Sequence, residues 1–549
     1  MRVVIIGGVA GGMSAATRLR RLNEDAEIIV LEKGPYVSFA NCGLPYYAGG
    51  EIQNRDALLV QTPESLKSRF ALDVRPYSEA IAIDAEAKAV TVRSGIDTYT
   101  LSYDKLILSP GATAIIPSAE GWEEAENLFT LRNVPDVDKI TAFINQRHPR
   151  QAVVIGAGFI GLEMAESLVT RGLEVTLVEK APQVLPPLDE EMAAFVLQEL
   201  LLRGIRVLTG TAAVAFRDRG NTILLDNGEI IHSELTLMSV GVAPDTGLAK
   251  AAGVATGQRG GIIVDNHYET NLTDIFAVGD AIIVKHTVTG QDTLISLASP
   301  ANRQGRQVAD IISGMERNNA GSLGTAILRI FGRIAAATGL NELQLRQEGI
   351  TYACVHISGS SHATYYPGAQ WMEIKLLFHP ESGEIYGAQA VGGEGVDKRI
   401  DVLATAIKAG LKVADLPELE LAYAPPFGSA KDPVNMAGYA ALNVIEGVSR
   451  TIQWYELPDK LAEGYKLIDV RTAAEHTIGF IKNSIHIPLD DLRSRLSELD
   501  RDQPYVVSCQ AGLRSYIAER ILRQHGFTVL NLDGAYGLYS VVRPQDITK

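Results

Sequence analysis

The chain has 549 residues, too many for one hydrophobic core, and roughly 100–200 residues per domain predicts about three to five domains. Charged residues make up 21% and hydrophobic residues 46%, which is typical of folded α/β enzymes and excludes a disordered chain, while a net charge of -15 argues against a nucleic-acid partner. The three cysteines are too few and too scattered for a disulfide framework or a zinc site, so no metal is expected. No run reaches the ~18 apolar residues of a membrane span, so we expect a soluble, unexported, cytoplasmic protein with no membrane partner.

The first predicted element is a strand, a glycine turn and a helix at the N-terminus. Residues 2–6 are a continuous apolar run, the glycine-rich turn covers residues 7–12, and residues 13–22 have helical character. Glycines let the backbone approach a pyrophosphate, and the helix N-terminus supplies free N–H donors. Glu32 ends the next apolar run, where a carboxylate would receive ribose hydroxyls. The pattern predicts a dinucleotide site.

The same pattern recurs in the middle of the chain. A strand at 152–155 leads into the turn Gly156-Ala157-Gly158-Phe159-Ile160-Gly161 and a helix at 162–170, and Glu179 follows the next strand. Two complete units imply two dinucleotides. Glu179 favours NADH, because a carboxylate repels the 2′-phosphate of NADPH, although Lys180 beside it leaves NADPH open.

A third segment, residues 273–281, predicts an apolar strand that leads to Asp280. It resembles the second FAD motif of the pyridine nucleotide-disulfide oxidoreductases, and residues 106–112 and 238–244 resemble the chain crossings of that fold. The resemblance covers residues 1 to about 445 and implies FAD in the first unit and NAD(P)H in the second. It assigns FAD to Gly7, Gly8, Ala10, Gly11, Gly12, Glu32, Lys33, Gly111, Asp280 and Ala298, and NAD(P)H to Gly156, Gly158, Ile160, Gly161, Glu179 and Gly241.

The C-terminal part of the chain is different in character. Residues 326–445 alternate strands such as 371–378 with a helical stretch at 402–408, and the same resemblance makes them an α+β dimerisation domain. Residues 457–549 resemble a single rhodanese domain, with Phe480 where that family usually has histidine. The fold class expected is therefore α/β, with two Rossmann-like domains, a dimerisation domain and an α/β rhodanese domain. The expected boundaries are 1–148 with 269–325 for FAD, 149–268 for NAD(P)H, 326–445 for dimerisation, 446–456 as a linker and 457–549 for rhodanese.

Cys509 is the candidate sulfur carrier of the rhodanese-like region. Four residues separate it from Arg514, a spacing that suits sulfur transfer, whereas the related dual-specificity phosphatases have five. A loop between a strand and a helix directs backbone N–H groups toward the sulfur and stabilises a thiolate or persulfide. Cys354, inside an apolar strand-like segment, is expected to be an inert small hydrophobe.

Cys42 follows the first nucleotide motif and has no neighbouring cysteine. A single thiol cannot store the two electrons of a hydride as a dithiol, so it must cycle through a sulfenic acid or form a mixed disulfide with a thiol substrate. The first cycle is that of the NADH peroxidases and oxidases, and the second that of the coenzyme A-disulfide reductases. Ala10 stands where the peroxidases carry a histidine, while the segment from Ser38 to Cys42 is similar to the coenzyme A-disulfide reductase motif.

The reductase resemblance also implies which residues contact the substrate. Two tyrosines from the partner subunit face the cysteine, here Tyr423 and either Tyr365 or Tyr366, with Tyr365 preferred. The expected function is a homodimeric FAD-dependent NAD(P)H reductase of coenzyme A disulfide or, in view of Cys509, of coenzyme A persulfide and polysulfide. The alternatives are an NADH oxidase or peroxidase with a passenger rhodanese domain, and a slow sulfur carrier or redox sensor. The coenzyme A contacts implied are Arg18, Arg21, Ser38, Asn41, Arg303 and Lys431.

Overall fold

The computed structural model describes residues 1–549 and divides into two compact units. The first comprises Met1–Pro182 and Gly204–Gly324, and the second Gln183–Arg203 and Thr325–Lys549. None of the helices combines the length and the apolar character that a bilayer span requires.

Two five-stranded parallel sheets form the framework of the first unit. Strand Arg2–Ile6 lies in the middle of the first sheet, and its residues 3–5 are fully buried, because helices and loops cover both faces of a parallel sheet. This burial explains its continuous apolar sequence. In spatial order the strands are Ile275–Ala277, Lys105–Leu108, Arg2–Ile6, Glu27–Leu31 and Asp73–Arg75 in one sheet, and Arg206–Leu208, Glu174–Val178, Gln151–Ile155, Leu235–Met238 and Leu128–Phe129 in the other.

Helices and small antiparallel sheets complete the first unit. The chain crossings expected near residues 112 and 242 form a two-stranded ribbon, Ala112–Ala114 against Val242–Pro244. The first helices of the two nucleotide units start at Ala10 and Phe159, three residues earlier than their sequences predicted. The helices are Ala10–Leu22, Leu44–Ala48, Pro63–Phe70, Val134–Arg147, Phe159–Thr170, Gly247–Ala251 and Ala298–Ile312, and the three-stranded sheets are Glu79–Asp84, Ala89–Ser94, Asp97–Ser102 and Ala213–Arg217, Thr222–Leu225, Ile230–His232.

The second unit contains an antiparallel sheet and a parallel sheet. In the antiparallel sheet the strand Ile385–Gly392 is buried at every position. Its strand order is Ala326–Ile330, Arg333–Gly339, Ile385–Gly392, Trp371–Phe378 and Ala353–Ser360, with helices Glu190–Leu202, Glu342–Gln347, Val396–Ala409 and Pro433–Ile445. The parallel sheet has the order Thr451–Ile452, Val529–Leu532, Tyr505–Ser508, Lys466–Asp469 and Ile485–His486, with helices Leu457–Ala462, Ala473–Ile478, Leu489–Leu492, Leu513–Gln524 and Ala535–Val542.

Two segments do not follow the domain boundaries predicted from the sequence. Residues 446–456, predicted as a linker, are not a free connection, because Thr451–Ile452 pairs in parallel with residues 531–532 and so forms an edge of the C-terminal sheet. Residues 183–203, predicted as part of the NAD(P)H domain, group with the second unit. Their helix, Glu190–Leu202, packs against helix Ala535–Val542.

Candidate active site

Both glycine turns of the first unit depend on close backbone packing at their first glycine. Gly7 has φ 100° and Gly156 has φ 104°, in the left-handed region that favours glycine. A Cβ on Gly7 would lie 2.0 Å from the carbonyl oxygen of Ser109, and one on Gly156 would lie 2.3 Å from that of Ser239. Each turn is therefore packed against the end of a neighbouring strand, and no larger residue fits.

The last glycine of each turn lets the following helix approach the turn. A Cβ on Gly12 would lie 1.9 Å from the carbonyl oxygen of Gly7, and one on Gly161 would lie 1.9 Å from that of Gly156. Gly11 is also tightly packed, since its Cβ would lie 2.9 Å from Ser109 Oγ. The two turns have the same construction, as their sequences predicted.

The helices that follow the two turns begin without a side-chain cap. Val9 and Gly158, the residues at their N-caps, accept no hydrogen bond from the first helical turn through a side chain, whereas Asn133 caps its helix in this way. The first-turn N–H groups, at Ala10 and Ile160 among others, stay available to an anion, and the positive end of the helix dipole favours one. Uncapped helices after close-packed glycine turns fit the pyrophosphates of two dinucleotides.

The two predicted ribose-binding carboxylates have the same environment. Glu32 accepts a hydrogen bond from Gly8 N–H at 3.0 Å and one from Gly34 N–H at 2.8 Å. Each carboxylate is thereby held next to its glycine turn, and its remaining lone pairs can accept ribose hydroxyls. The matching bonds of Glu179 come from Ala157 N–H at 2.6 Å and Ala181 N–H at 2.7 Å.

The remaining predicted FAD and NAD(P)H residues lie around these turns. Gly111 and Gly241 both have positive φ and flank the two strands of the chain-crossing ribbon, and Ala298 is the first residue of its helix. Lys33, which the resemblance assigns to FAD, pairs with Asp245 at 2.7 Å. Its ammonium is neutralised by a residue 212 positions away, which no local pattern could have predicted.

Arg132 is a functional candidate that the sequence reasoning missed. Its guanidinium donates to Asp280 Oδ2 at 2.8 Å and to the Ala112 carbonyl at 2.9 Å, and its own carbonyl accepts from Asn41 Nδ2 at 3.1 Å. Arg132 therefore joins the predicted flavin aspartate to the residue before Cys42. The one available signal was the helix start at Asn133, which places Arg132 directly before a helix.

Cys42 lies in a short 3₁₀ turn, Asn41–Gly43, and is exposed. Partial desolvation raises the pKa of its thiol, the negative charge of Glu163 raises it further, and the positive charge of Arg132 opposes both. Ser38, at the start of the segment, has φ 47° and donates its N–H to the Gly8 carbonyl at 2.8 Å. The cysteine segment is thus fixed to the first glycine turn.

The predicted coenzyme A cations of the first unit lie on two packed helices. Ser14 Oγ donates to Asn302 Oδ1 at 2.6 Å, which joins helix Ala10–Leu22, the helix of Arg18 and Arg21, to helix Ala298–Ile312, the helix of Arg303. Arg21 donates to the backbone carbonyl of Thr17 at 3.0 Å, and Arg303 to that of Gly321 at 2.7 Å. A backbone carbonyl does not neutralise a guanidinium, so the positive charge of both arginines fits phosphate binding.

Arg18 differs from Arg21 and Arg303 because the buried carboxylate of Asp310 binds it. Its Nε lies 2.6 Å from Asp310 Oδ1, and Arg317 Nε lies 2.9 Å from Oδ2 of the same residue. Burial alone would raise the pKa of Asp310, but the hydrogen bonds from the two arginines outweigh it and lower the pKa. Arg18 therefore contributes less free positive charge than its sequence position predicted. Lys431 lies in the second unit and is exposed.

Two of the three candidate tyrosines of the second unit are joined. The phenol oxygens of Tyr365 and Tyr423 lie 3.0 Å apart, and the two side chains are 75% and 48% exposed. Tyr366 instead packs its ring edge-on against His362, with centroids 5.6 Å apart. The geometry therefore favours Tyr365 over Tyr366 as the partner of Tyr423.

Cys509 directly follows the strand Tyr505–Ser508 and is 1% exposed. A single backbone N–H, from Gly512, reaches its Sγ at 3.1 Å, so the predicted cluster of N–H donors is reduced to one hydrogen bond. Cys354 is buried as well, and burial raises the pKa of its thiol well above the usual value, in agreement with an inert role.

Arg514, in the helix that follows the Cys509 loop, pairs with a carboxylate. Its guanidinium binds the carboxylate of Glu475 through two hydrogen bonds, of 2.7 and 2.6 Å. This pairing lowers the pKa of Glu475 to about 2, and it neutralises the arginine. Arg514 therefore holds the helix after the Cys509 loop to residue 475, and its role in sulfur transfer stays a prediction.

Comparisons with known proteins match three parts of the chain. A family model described as pyridine nucleotide-disulphide oxidoreductase matches residues 1–305, the dimerisation domain of the same family matches residues 330–433, and a rhodanese-like domain matches residues 454–540. The chain belongs to the pyridine nucleotide-disulphide oxidoreductase family. The family, the α/β fold class and the rhodanese domain predicted from sequence are confirmed.

Among members of this oxidoreductase family, the chain is 37% identical over 443 residues to a coenzyme A disulfide reductase from Staphylococcus aureus, covering 80% of this chain and 99% of the relative. A structure of reduced CoADR-RHD from Bacillus anthracis is similar with 51% identity and a TM-score of 0.98, covering 100% and 99% of the two chains. An NAD-dependent persulfide reductase from A. fulgidus is similar with 37% identity and a TM-score of 0.94, covering 98% and 100%.

Proposed function

We propose that this oxidoreductase uses FAD and NAD(P)H to reduce coenzyme A persulfide, or coenzyme A disulfide, at Cys42. One observation carries the proposal: Cys42 is exposed, whereas Cys354 and Cys509, the other two cysteines, are buried. Its disulfide partner must then arrive as a substrate thiol. The printed functions of the relatives, coenzyme A disulfide reductase and persulfide reductase, support this substrate class.

FAD is assigned to the N-terminal glycine turn, at residues 7–12, and NAD(P)H to the glycine turn at residues 156–161. We assign residues 1–148 and 269–325 to FAD, and residues 149–182 and 204–268 to NAD(P)H, with Glu32 and Glu179 as the ribose-binding carboxylates. NADH is favoured, because the carboxylate of Glu179 is fixed by two backbone N–H groups and would repel a 2′-phosphate. When bound, FAD and NADH supply the electron pair that disulfide reduction consumes.

Cys42 performs the covalent step. Its thiolate attacks the thiol-derived sulfur of coenzyme A persulfide, the S–S bond breaks, hydrosulfide leaves, and a disulfide between Cys42 and coenzyme A forms. With coenzyme A disulfide as substrate, the leaving group is coenzyme A thiolate. Two electrons and one proton then convert the mixed disulfide to Cys42 thiolate and coenzyme A thiol.

The tyrosine pair and the cations bind the substrate. We propose a homodimer in which Tyr365 and Tyr423 of one protomer face Cys42 of the other, a state that the matched dimerisation domain supports. In the 3.0 Å pair one hydroxyl donates to the other, so the accepting tyrosine keeps a free proton for a developing thiolate. The phosphates of coenzyme A are assigned to Arg21, Arg303 and Lys431, with Arg18 in a weaker role, and its pantetheine arm to Ser38 and Asn41.

Cys509 supplies the sulfur. A persulfide on Cys509 transfers its outer sulfur to the thiol of coenzyme A, which yields coenzyme A persulfide and the Cys509 thiol, so that atoms and charge balance. The pantetheine arm then carries the persulfide to Cys42. Polysulfide is the expected source of the sulfur on Cys509, and the fused rhodanese domain supports this order of steps.

The test is mass spectrometry of the full-length protein after mild denaturation without reductant. We expect coenzyme A on the peptide of Cys42, removable by a reducing agent, and no adduct on Cys354. Cys42→Ser should abolish NADH consumption with every sulfur substrate, and Cys354→Ser is the matched control. A sulfenic acid on Cys42 with no coenzyme A, together with consumption of hydrogen peroxide, would favour an oxidase or peroxidase instead.

A further inference from the structure

A buried charged network lies in the second unit, where the strand Ala353–Ser360 of the dimerisation domain meets the C-terminal domain. We propose that His356, on this strand, positions the Cys509 loop through Asp533. His356 is then a positioning residue for sulfur transfer, supplied by a domain outside the rhodanese fold. The inference rests on the proposed role of Cys509 as the sulfur carrier.

Asp533 follows the strand Val529–Leu532 and is almost completely buried. Its carboxylate accepts from the backbone N–H of His356 at 3.1 Å and faces His356 Nδ1 at 2.7 Å. Gln453 Nε2 donates to the same carboxylate at 3.2 Å, and the N–H of Asp533 donates to the Ile452 carbonyl at 2.9 Å. The dimerisation domain and the segment at 452–453 together fix this side chain.

The second ring nitrogen of His356 also faces a carboxylate, Glu191 Oε1 at 3.1 Å. Carboxylates only accept hydrogen bonds, so an imidazole between two of them donates from both nitrogens and carries a positive charge. Burial lowers the pKa of His356, but Asp533 and Glu191 outweigh it and raise the pKa to about 9. The contact between His356 and Asp533 is therefore a charge-assisted hydrogen bond in a buried site, which is stronger than a neutral one.

The residues after Asp533 connect this contact to the sulfur. Gly534 and Ala535 have φ of 69° and 53°, so the chain makes a left-handed turn that includes a residue with a Cβ. Directly after the turn, Tyr536 donates its N–H to the Cys509 carbonyl at 2.9 Å, and Gly537 donates to the Gln510 carbonyl at 3.0 Å.

These two bonds hold the backbone of the loop that carries the sulfur. The same loop contains Gly512, whose N–H reaches Cys509 Sγ at 3.1 Å. A shift of the turn at 534–535 would move the two loop carbonyls and weaken this N–H contact. Because Asp533 fixes the start of the turn, His356 acts on the geometry around Cys509 without touching it.

A second buried carboxylate of the C-terminal domain provides a matched control. Glu519, in helix Leu513–Gln524, contacts Ser449 Oγ and accepts from Arg450 N–H at 2.7 Å. It joins the domain to the segment before it, as Asp533 does, but its contacts lie away from the Cys509 loop. Loss of Glu519 therefore weakens the junction without moving the turn at 534–535.

The experiment measures the rate of Cys509 alkylation by iodoacetamide as a function of pH, in the full-length protein, by mass spectrometry of its peptide. In His356→Gln we expect alkylation slower by about tenfold, within the ~10²-fold that displacement of a reacting group costs. Asp533→Asn, which keeps the side-chain shape, should give a smaller change in the same direction. Glu519→Gln should match the parent protein.

Sulfur transfer from polysulfide to coenzyme A should fall in parallel with alkylation, while NADH-dependent reduction of coenzyme A disulfide at Cys42 stays unchanged. Unchanged alkylation in both His356→Gln and Asp533→Asn would overturn the positioning role. Equal changes in Glu519→Gln would also overturn it, since the effect would then be general destabilisation. If Cys509→Ser keeps full sulfur transfer, Cys509 is not the sulfur carrier. The alkylation rates of Cys509 would still show whether His356 positions its loop.

Discussion

The phenol oxygens of Tyr365 and Tyr423 lie 3.0 Å apart although both side chains are largely exposed. The shared hydrogen bond orients the two exposed phenols relative to each other. The bond raises the pKa of Tyr365, which keeps its proton in place over the physiological range. The pair thus presents a phenol that can donate to a sulfur anion.

The first prediction concerns this pair. Tyr423→Phe and Tyr365→Phe should each lower kcat for coenzyme A disulfide reduction by about ten- to a hundredfold, because one donor to the leaving sulfur is lost or misaligned. Steady-state kinetics with NADH check this. Tyr366→Phe, which removes the hydroxyl of the neighbouring ring, is the matched comparison and should resemble the parent. A larger loss in Tyr366→Phe than in Tyr365→Phe would reverse the assignment.

The second prediction separates the two reactive cysteines. Cys509→Ser should keep the reduction of preformed coenzyme A persulfide, because that reaction requires Cys42 only, and should lose hydrosulfide production from polysulfide with catalytic coenzyme A. Hydrosulfide release and NADH oxidation are measured in the same sample. Equal loss in both assays would contradict separate roles, and Cys354→Ser controls for a buried thiol.

Local sequence patterns predicted the parts of the site that local chemistry determines. Gly12 and Gly161 need to be glycine because a Cβ would meet the carbonyl oxygens of Gly7 and Gly156 within the same strand-turn-helix unit, and such units have a recognisable sequence. The carboxylates of Glu32 and Glu179 likewise follow at a fixed distance along the chain. These features could be read before any tertiary contact was known.

Contacts between distant parts of the chain could not be read in this way. Lys33 and Arg514 pair with Asp245 and Glu475, and no local pattern predicted either pair. Arg132 was missed because its role depends on the fold, which brings Asp280, 148 positions away, to its guanidinium. Charge pairing between remote segments has no sequence period, so only the structure reveals which cations stay available.

The third prediction uses the pKa of Cys42. Desolvation and the charge of Glu163 both raise it, so the thiolate fraction, and with it the rate of mixed-disulfide formation, should increase as the pH rises toward this raised pKa. Glu163→Gln removes one of these causes and should move the profile of Cys42 alkylation to lower pH. Peptide mass spectrometry after timed alkylation measures the profile. Glu174 is an exposed carboxylate at the start of a strand, and Glu174→Gln should leave the alkylation profile of Cys42 unchanged. A shift of this profile to higher pH in Glu163→Gln would refute the electrostatic cause.

The last prediction concerns stability and the charge of His356. Its folded pKa of about 9 lies above the ordinary value of 6.5, so protonation stabilises the folded state by about 3 kcal/mol at most. A raised pKa gives stability that is complete below about pH 6.5 and is lost as the pH rises through about 9. The groups that face or surround the ring are Asp533, Glu191, Glu373, Lys375 and Gln453.

Thermal unfolding of the parent protein and of His356→Gln over this pH range tests whether protonation of His356 stabilises the folded state. The two unfolding temperatures should differ most at the low end of this range, near pH 6.5, where the parent has the imidazolium between Asp533 and Glu191 and the variant leaves two buried carboxylates without it. The difference should shrink above about pH 9, because the parent then loses the same charge. Glu519→Gln should show a difference that does not change with pH over this window. A gap that widens with pH in His356→Gln would mean that the ring is neutral in the folded protein.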